Sequence, residues 1–189
     1  GEAAGTGGGD GNDGGGTQSP ADTAAKKYEV SDLSIGLGDY LPPLDSGRVE
    51  IAKPKDWHAG SRQQGYVVWF HEYKDPRLLP QIRVTAEDAP GDAPQNATPD
   101  NVEEYAAWVT ADVQEKLGEK EKLVEKVVPL LLGDNAFGRY VRGGKKGGAV
   151  VERQILTTTH NGRIYTIELI VLPEKLRDAR DAGYVVGAG

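Results

Sequence analysis

Three histidines, one acid inside an apolar run and one basic glycine segment are the residues of this chain whose types and spacing suit chemistry. His58, His71 and His160 show neither an H-E-x-x-H pattern nor an i, i+4 spacing, so a metal site would need chance convergence of the three, and we expect none. His71 alternates with Trp69 and Tyr73 along an expected strand and should be partly buried. His160 abuts Asn161-Gly162 and should be exposed. Ser61 stands in no nucleophile-elbow context, although a triad can assemble from distant residues. Glu168 lies inside "YTIELIVL". A buried acid there is either a group with a raised pKa or one half of an ion pair. Arg153 lies one strand over, and we expect the pair. Arg142, Lys145 and Lys146 sit among four glycines from 143 to 148. Such a loop can cradle an anion, but turn geometry and solubility explain it equally well. No cysteine is present, which excludes a disulfide framework, a thiolate nucleophile and a cysteine metal site.

The run "GGGDGNDGGG", Gly7 to Gly16, offers two further readings. Gly8, Gly9, Gly11 and Asp13 match the start of a glycine-aspartate calcium repeat, but the aliphatic position falls on Gly15 and there is one copy only. Such repeats bind calcium when stacked. Gly9, Gly11 and Gly14 have the spacing of a dinucleotide fingerprint, yet no strand precedes them. With almost nothing to bury, the segment reads as a tether. We therefore expect a disordered Gly-rich tether over residues 1–27, an extended transition segment over 28–46 and a single domain over 47–189.

The charge is as uneven as the composition. Residues 1–45 hold eight acids against two bases, whereas residues 46–189 hold twenty-one against twenty. A near-neutral domain has no broad basic field for nucleic acid. No apolar run is long enough to span a bilayer. The chain contains no methionine, so we expect that a segment, most simply a signal peptide, was removed ahead of Gly1. The layout resembles that of an exported bacterial lipoprotein just after its lipidated cysteine. It implies export to the periplasm or outer cell envelope, with a lipid anchor upstream of Gly1 as one form of it.

These residues need elements to position them. Val49 and Ile51 alternate toward Pro54, residues 65–75 are rich in β-branched and aromatic types, and Ile82, Val84 and Ala86 alternate with Arg83, Thr85 and Glu87. Each pattern predicts a strand. Thr98-Pro99-Asp100 opens a helix whose apolar stripe runs Val102, Tyr105, Ala106, Val109, Val113 and Leu117, and Gly118 ends it. Residues 119–126 read as a charged bridge, and 124–132 as a strand that Pro129 places at an edge or a bulge. Strands over 137–142 and 149–159 flank the basic glycine segment. Asn161-Gly162 predicts a type I′ hairpin that sets Thr159 opposite Ile164 and Leu156 opposite Ile167. Leu156, Tyr165, Ile167, Leu169 and Val171 then share one face, and Ile155, Ile164, Ile170 and Leu172 the other. Two apolar faces require cover on both. Pro173 starts a second helix over 173–183, with Leu176 and Ala179 inward. The fold class is α+β: an α/β/α sandwich with a central, mostly antiparallel sheet and two main helices. Trp108 falls about 120° from the buried helix stripe at 3.6 residues per turn, so it either anchors a partner or covers the sheet edge.

In this layout the chain resembles the PsbP-like family, whose fold is shared with the Ran-binding protein Mog. The likeness runs from about Arg48 to Gly189. It rests on "VEIAKPKDW", "YVVWFHEY", "IRVTAED", "TPDNVEEYAAWV" and "ERQILTTTHNGRIYTIELIVL", with Pro54 and Trp57 in the place of the family's Pro-x-x-Trp turn. The resemblance implies a non-catalytic module that binds proteins or stabilises assemblies. The plant members attach to the oxygen-evolving complex, and nothing in this sequence supports photosynthesis. No metal-binding positions of the family match. The sequence therefore predicts a binding or assembly module of the cell envelope, not an enzyme. It needs no cofactor, its partner is another envelope protein, and Trp108, Arg142, Lys145 and Lys146 are the candidate binding residues. The alternative is a small envelope hydrolase with a site around His71 or Glu168.

Overall fold

The computed structural model describes residues 24–60, 67–117 and 123–189. The glycine run, Ser61 and the first part of the charged bridge lie outside the described residues. Along the chain come β1 (Lys26–Tyr28), a 3-10 turn (Val30–Asp32), β2 (Leu37–Tyr40), β3 (Ala52–Pro54), β4 (His58–Ala59), β5 (Val68–His71) and β6 (Gln81–Asp88). Then follow α1 (Val102–Leu117), β7 (Leu123–Leu132), β8 (Asn135–Lys146), β9 (Ala149–His160), β10 (Arg163–Val171), a 3-10 turn (Pro173–Lys175) and α2 (Leu176–Ala188).

Eight strands form one sheet in the order β1-β7-β8-β9-β10-β6-β5-β4, and β2 pairs separately with β3. Among the described residues, β1 and β7 pair in parallel and the other neighbours in this sheet are antiparallel. Alternation along the central strands sorts the residues. Phe137, Leu156, Ile167, Leu169, Val84 and Ile82 pack under Ala179, Ala182 and Val186 of α2, in the main core. The opposite face carries Tyr140, which packs against Tyr105, Val109 and Val113 of α1 in a second cluster. The helices thus lie on opposite faces, the α/β/α order that the sequence predicts.

The central hairpin has the expected register, Thr159 opposite Ile164 and Leu156 opposite Ile167. Its turn holds Asn161 at φ 48° and Gly162 at φ 76°, the two positive values that a type I′ turn needs. A Cβ on Gly162 would also meet the Gln95 Oε1 at 3.1 Å. Gly162→Val should therefore cost roughly 1–3 kcal/mol in urea unfolding. A variant as stable as the parent would show that the turn does not set the register.

Several boundaries differ from the sequence reading. The basic glycine segment is not a loop: β8 runs through Lys146, and the turn falls on Gly147 and Gly148, at φ 58° and 83°. β5 ends at His71, so Tyr73 lies beyond it. β7 starts at Leu123 and takes in Lys126, with register shifts on either side of Glu125. α1 begins after Asn101, which accepts the first helical bond from Tyr105; its side chain turns back to the Thr98 N–H, so Thr98 is not the cap. α2 does not stop at Gly183 but continues to Ala188. The Pro54–Trp57 turn is present: the Trp57 N–H donates to the Pro54 carbonyl at 3.1 Å and the indole is buried in the main core.

Side-chain ties bind residues 28–46 to the domain. Asp45 accepts from Arg163 at 2.6 and 3.1 Å and from the Tyr165 hydroxyl at 2.8 Å. The Arg163 hydrogen bonds hold its carboxyl below the usual carboxylate range. Asp181 of α2 accepts both the backbone N–H and the hydroxyl of Ser34, at 2.8 and 3.0 Å.

Candidate binding site

On the face that carries α1, the helix packs chiefly over β7 and β8, and its Tyr105 hydroxyl reaches Thr157 of β9 at 3.4 Å. Farther across it, register aligns a second set of side chains. Glu168 of β10 sits opposite Arg83 of β6, and Arg83 opposite Trp69 of β5. Gln81 lies opposite His71, and His71 opposite His58 of β4. Arg153 of β9 shares this face, diagonal to Glu168.

The tip of the β8–β9 hairpin joins this set. Lys146 Nζ donates to Gln81 Oε1 at 2.5 Å, although β9 and β10 lie between their strands. Across a flat sheet the two strands would be roughly 14 Å apart, more than the two side chains bridge. The hairpin must coil over the face, in the sense that long twisted strands do. Lys146 Nζ then stands 5.4 Å from the Trp69 ring centre, and the Arg83 guanidinium stands 4.9 Å from it. Both distances suit cation–π attraction.

Among the described residues, Arg83, Arg142, Lys146 and Arg153 thus lie around the Glu168 carboxylate. Arg153 Nη1 donates to Glu168 Oε1 at 2.5 Å, and Arg142 Nη2 is 3.9 Å from the same oxygen. The expected Arg153–Glu168 pair is present. Burial, followed by repulsion from Arg83 and Arg153, pushes Lys146 down to about 8. Burial and the neighbouring His58 also hold His71 below its ordinary pKa. The His58 and His71 rings stack at 5.8 Å. Trp69 Nε1 and His71 Nδ1 are buried without a hydrogen-bond partner, which is uncommon for such groups. Among the described residues no group of three or more metal-ligating side chains converges.

Of the residues singled out in the sequence, Arg142, Lys146, Glu168 and His71 come together on this face. Lys145 points to the opposite side of β8 and is exposed. His160 is exposed beside the hairpin turn. Trp108 lies apart from this face: it is half-buried on α1, its ring 5.8 Å from that of Tyr105. Sequence reasoning missed Trp69, Gln81, Arg83 and His58 as members. The alternation of Arg83 with Ile82 and Val84 marks a polar strand face, but not which strands flank it.

No protein-family model and no curated protein sequence matches the chain. Among solved structures the chain is similar to a Bacteroides thetaiotaomicron protein at 15% identity and TM-score 0.49. That match covers 80% of this chain and 47% of the other, so the chain spans about half its length. It is similar to the cyanobacterial PsbP of Synechocystis at 13% identity and TM-score 0.41, with 72% of this chain and 82% of that one covered. It is also similar to LpqN of Mycobacterium tuberculosis, a protein involved in cell envelope biogenesis, at 15% identity and TM-score 0.48, covering 86% and 96%.

Proposed function

We propose that the chain is a non-catalytic binding or assembly module of the cell envelope, and that the cationic face around Trp69 holds an acidic segment of a partner envelope protein. The observation that carries this reading is the reach of Lys146 across two strands to Gln81. It fuses the hairpin tip and the β5–β6 edge into one surface, where Arg142 and Arg153 share the Glu168 carboxylate and both Arg83 and Lys146 lie against the Trp69 ring. Such a surface attracts carboxylates and offers an apolar plane to pack on. The envelope location rests on the composition of residues 1–27, glycine-rich and acidic, which suits a tether that holds a folded domain at a surface.

A hydrolase built on His71 or Glu168 needs a base oriented by a third group and a nucleophile within reach. Among the described residues, His71 faces His58 and Glu168 is held by Arg153. No observation favours that alternative.

The test is capture of a partner from envelope extract, with the captured protein identified and its affinity measured. Lys146→Glu should weaken capture at least tenfold, while Lys55→Ala, an exposed lysine outside the face, should leave it unchanged. A bound carboxylate favours the charged form of Lys146. Binding should therefore take up a proton near pH 8 and weaken as pH rises from 7 to 9. Capture that ignores both Lys146→Glu and pH would overturn the reading, as would steady hydrolysis that His71→Ala abolishes in a folded protein.

A further inference from the structure

A cavity of about 770 Å³ opens elsewhere on the molecule, between α2 and the β1–β7 edge. Its size lies within the range of small-molecule sites. Its lining is strongly one-signed: Lys26, Lys126, Arg139, Arg177 and Arg180 against Glu125. Leu130 and Leu176 supply apolar wall, and the Tyr28 and Tyr184 rings stand 5.4 Å apart beside it. The Arg180 guanidinium lies over both rings, at 5.6 and 5.0 Å.

The back of the cavity is built rigidly. Arg139 is 7% exposed, and its Nε and Nη2 donate to Gln154 Oε1 at 3.0 and 2.9 Å. Gln154 is fully buried and in turn donates to the Arg180 carbonyl at 3.2 Å. The outer edge of Arg139 donates to Glu125, at 3.2 and 3.5 Å, its guanidinium lies 5.8 Å from the Tyr184 ring centre, and the Glu125 side chain is 47% exposed. A preorganised, buried guanidinium is thus answered by a loosely held, half-exposed carboxylate. Lys126 and Arg177 have no carboxylate partner among the described residues.

We propose that this cavity binds a small aromatic dianion of the aryl phosphate class. Its anionic group displaces Glu125 from Arg139 and is met by Arg177, Arg180 and Lys126, while its ring packs between the tyrosines and the leucine wall. A planar guanidinium suits phosphate oxygens and stacks on aromatic rings. A phosphate monoester carries close to two charges at neutral pH, which matches the surplus of cations. The site is distinct from the Trp69 face and does not depend on it.

The test is calorimetric titration of the full chain with 1-naphthyl phosphate at low salt, beside 1-naphthol and inorganic phosphate. Naphthyl phosphate should bind, and each of the other two at least tenfold more weakly. Arg177→Ala and Lys126→Ala, both at exposed positions, should each weaken binding several-fold. Glu125→Gln keeps a hydrogen-bond acceptor for Arg139 but removes the competing charge, so it should tighten binding several-fold. No binding at millimolar concentration overturns the proposal. So does equal binding of 1-naphthol, and so does an affinity that none of the three variants changes.

Discussion

Glu168→Ala should lower the free energy of unfolding by about 3 kcal/mol, the lower end of the cost of leaving one half of a buried ion pair alone, because this pair is partly buried. Glu168 and Arg153 are 14% and 16% exposed, so water solvates neither side chain freely. Removal of the carboxylate takes away the charge that Arg153 and Arg142 share and that offsets Lys146. Glu168 is also the one group that raises the pKa of Lys146 against burial and the two arginines. In the variant Lys146 should therefore titrate below about 8, an effect visible by NMR of its side chain. Replacing both partners, Glu168→Leu with Arg153→Leu, should restore much of the stability, because an apolar pair of similar volume needs no solvation. A single variant within about 0.5 kcal/mol of the parent, the usual size of an exposed pair, would mean that the face is wet and its charges independent.

Legibility in the sequence followed the range of the interaction. The Asn161-Gly162 register was readable because positive φ at two adjacent residues is a local demand. The Arg153–Glu168 pair followed from that register alone. The other glycine pairs misled for the opposite reason. Residues 143–144 and 147–148 both carry turn composition, and only the backbone shows that β8 passes through the first pair and turns at the second. The binding face was not readable as a unit. Trp69, Arg83, Glu168 and Lys146 come from four strands, and their meeting depends on the β9-β10-β6-β5 order and on the coil of a long hairpin. No periodicity encodes either. For Trp108 the helical wheel left two roles open, and the structure adds that its ring lies against the Tyr105 ring three residues earlier, which widens the covered face.

The same contrast between local and distant demands sets the second large effect. Gly183 reads as a helix stop, yet α2 continues past it. Its reason is contact, not termination: a Cβ at Gly183 would lie 2.8 Å from Gln154 Nε2, and one at Gly187 would lie 2.8 Å from Leu132 Cδ1. Residues four apart share one helix face, so this pair lets α2 descend onto the sheet. Gly183→Val should cost about 3 kcal/mol, the upper part of the overpacking range, because the displaced Gln154 cannot retreat without releasing Arg139. Gly183→Ala gains about 1 kcal/mol of helix propensity against the same clash, so it should come out milder. The effect should be non-additive with Gln154→Ala, since truncating the glutamine removes the obstacle: in Gln154→Ala, the further change Gly183→Ala should cost nothing or stabilise. Urea unfolding of the four chains of this cycle measures the coupling. Strict additivity, or a Gly183→Val variant as stable as the parent, would show that α2 does not rest on the sheet through this glycine.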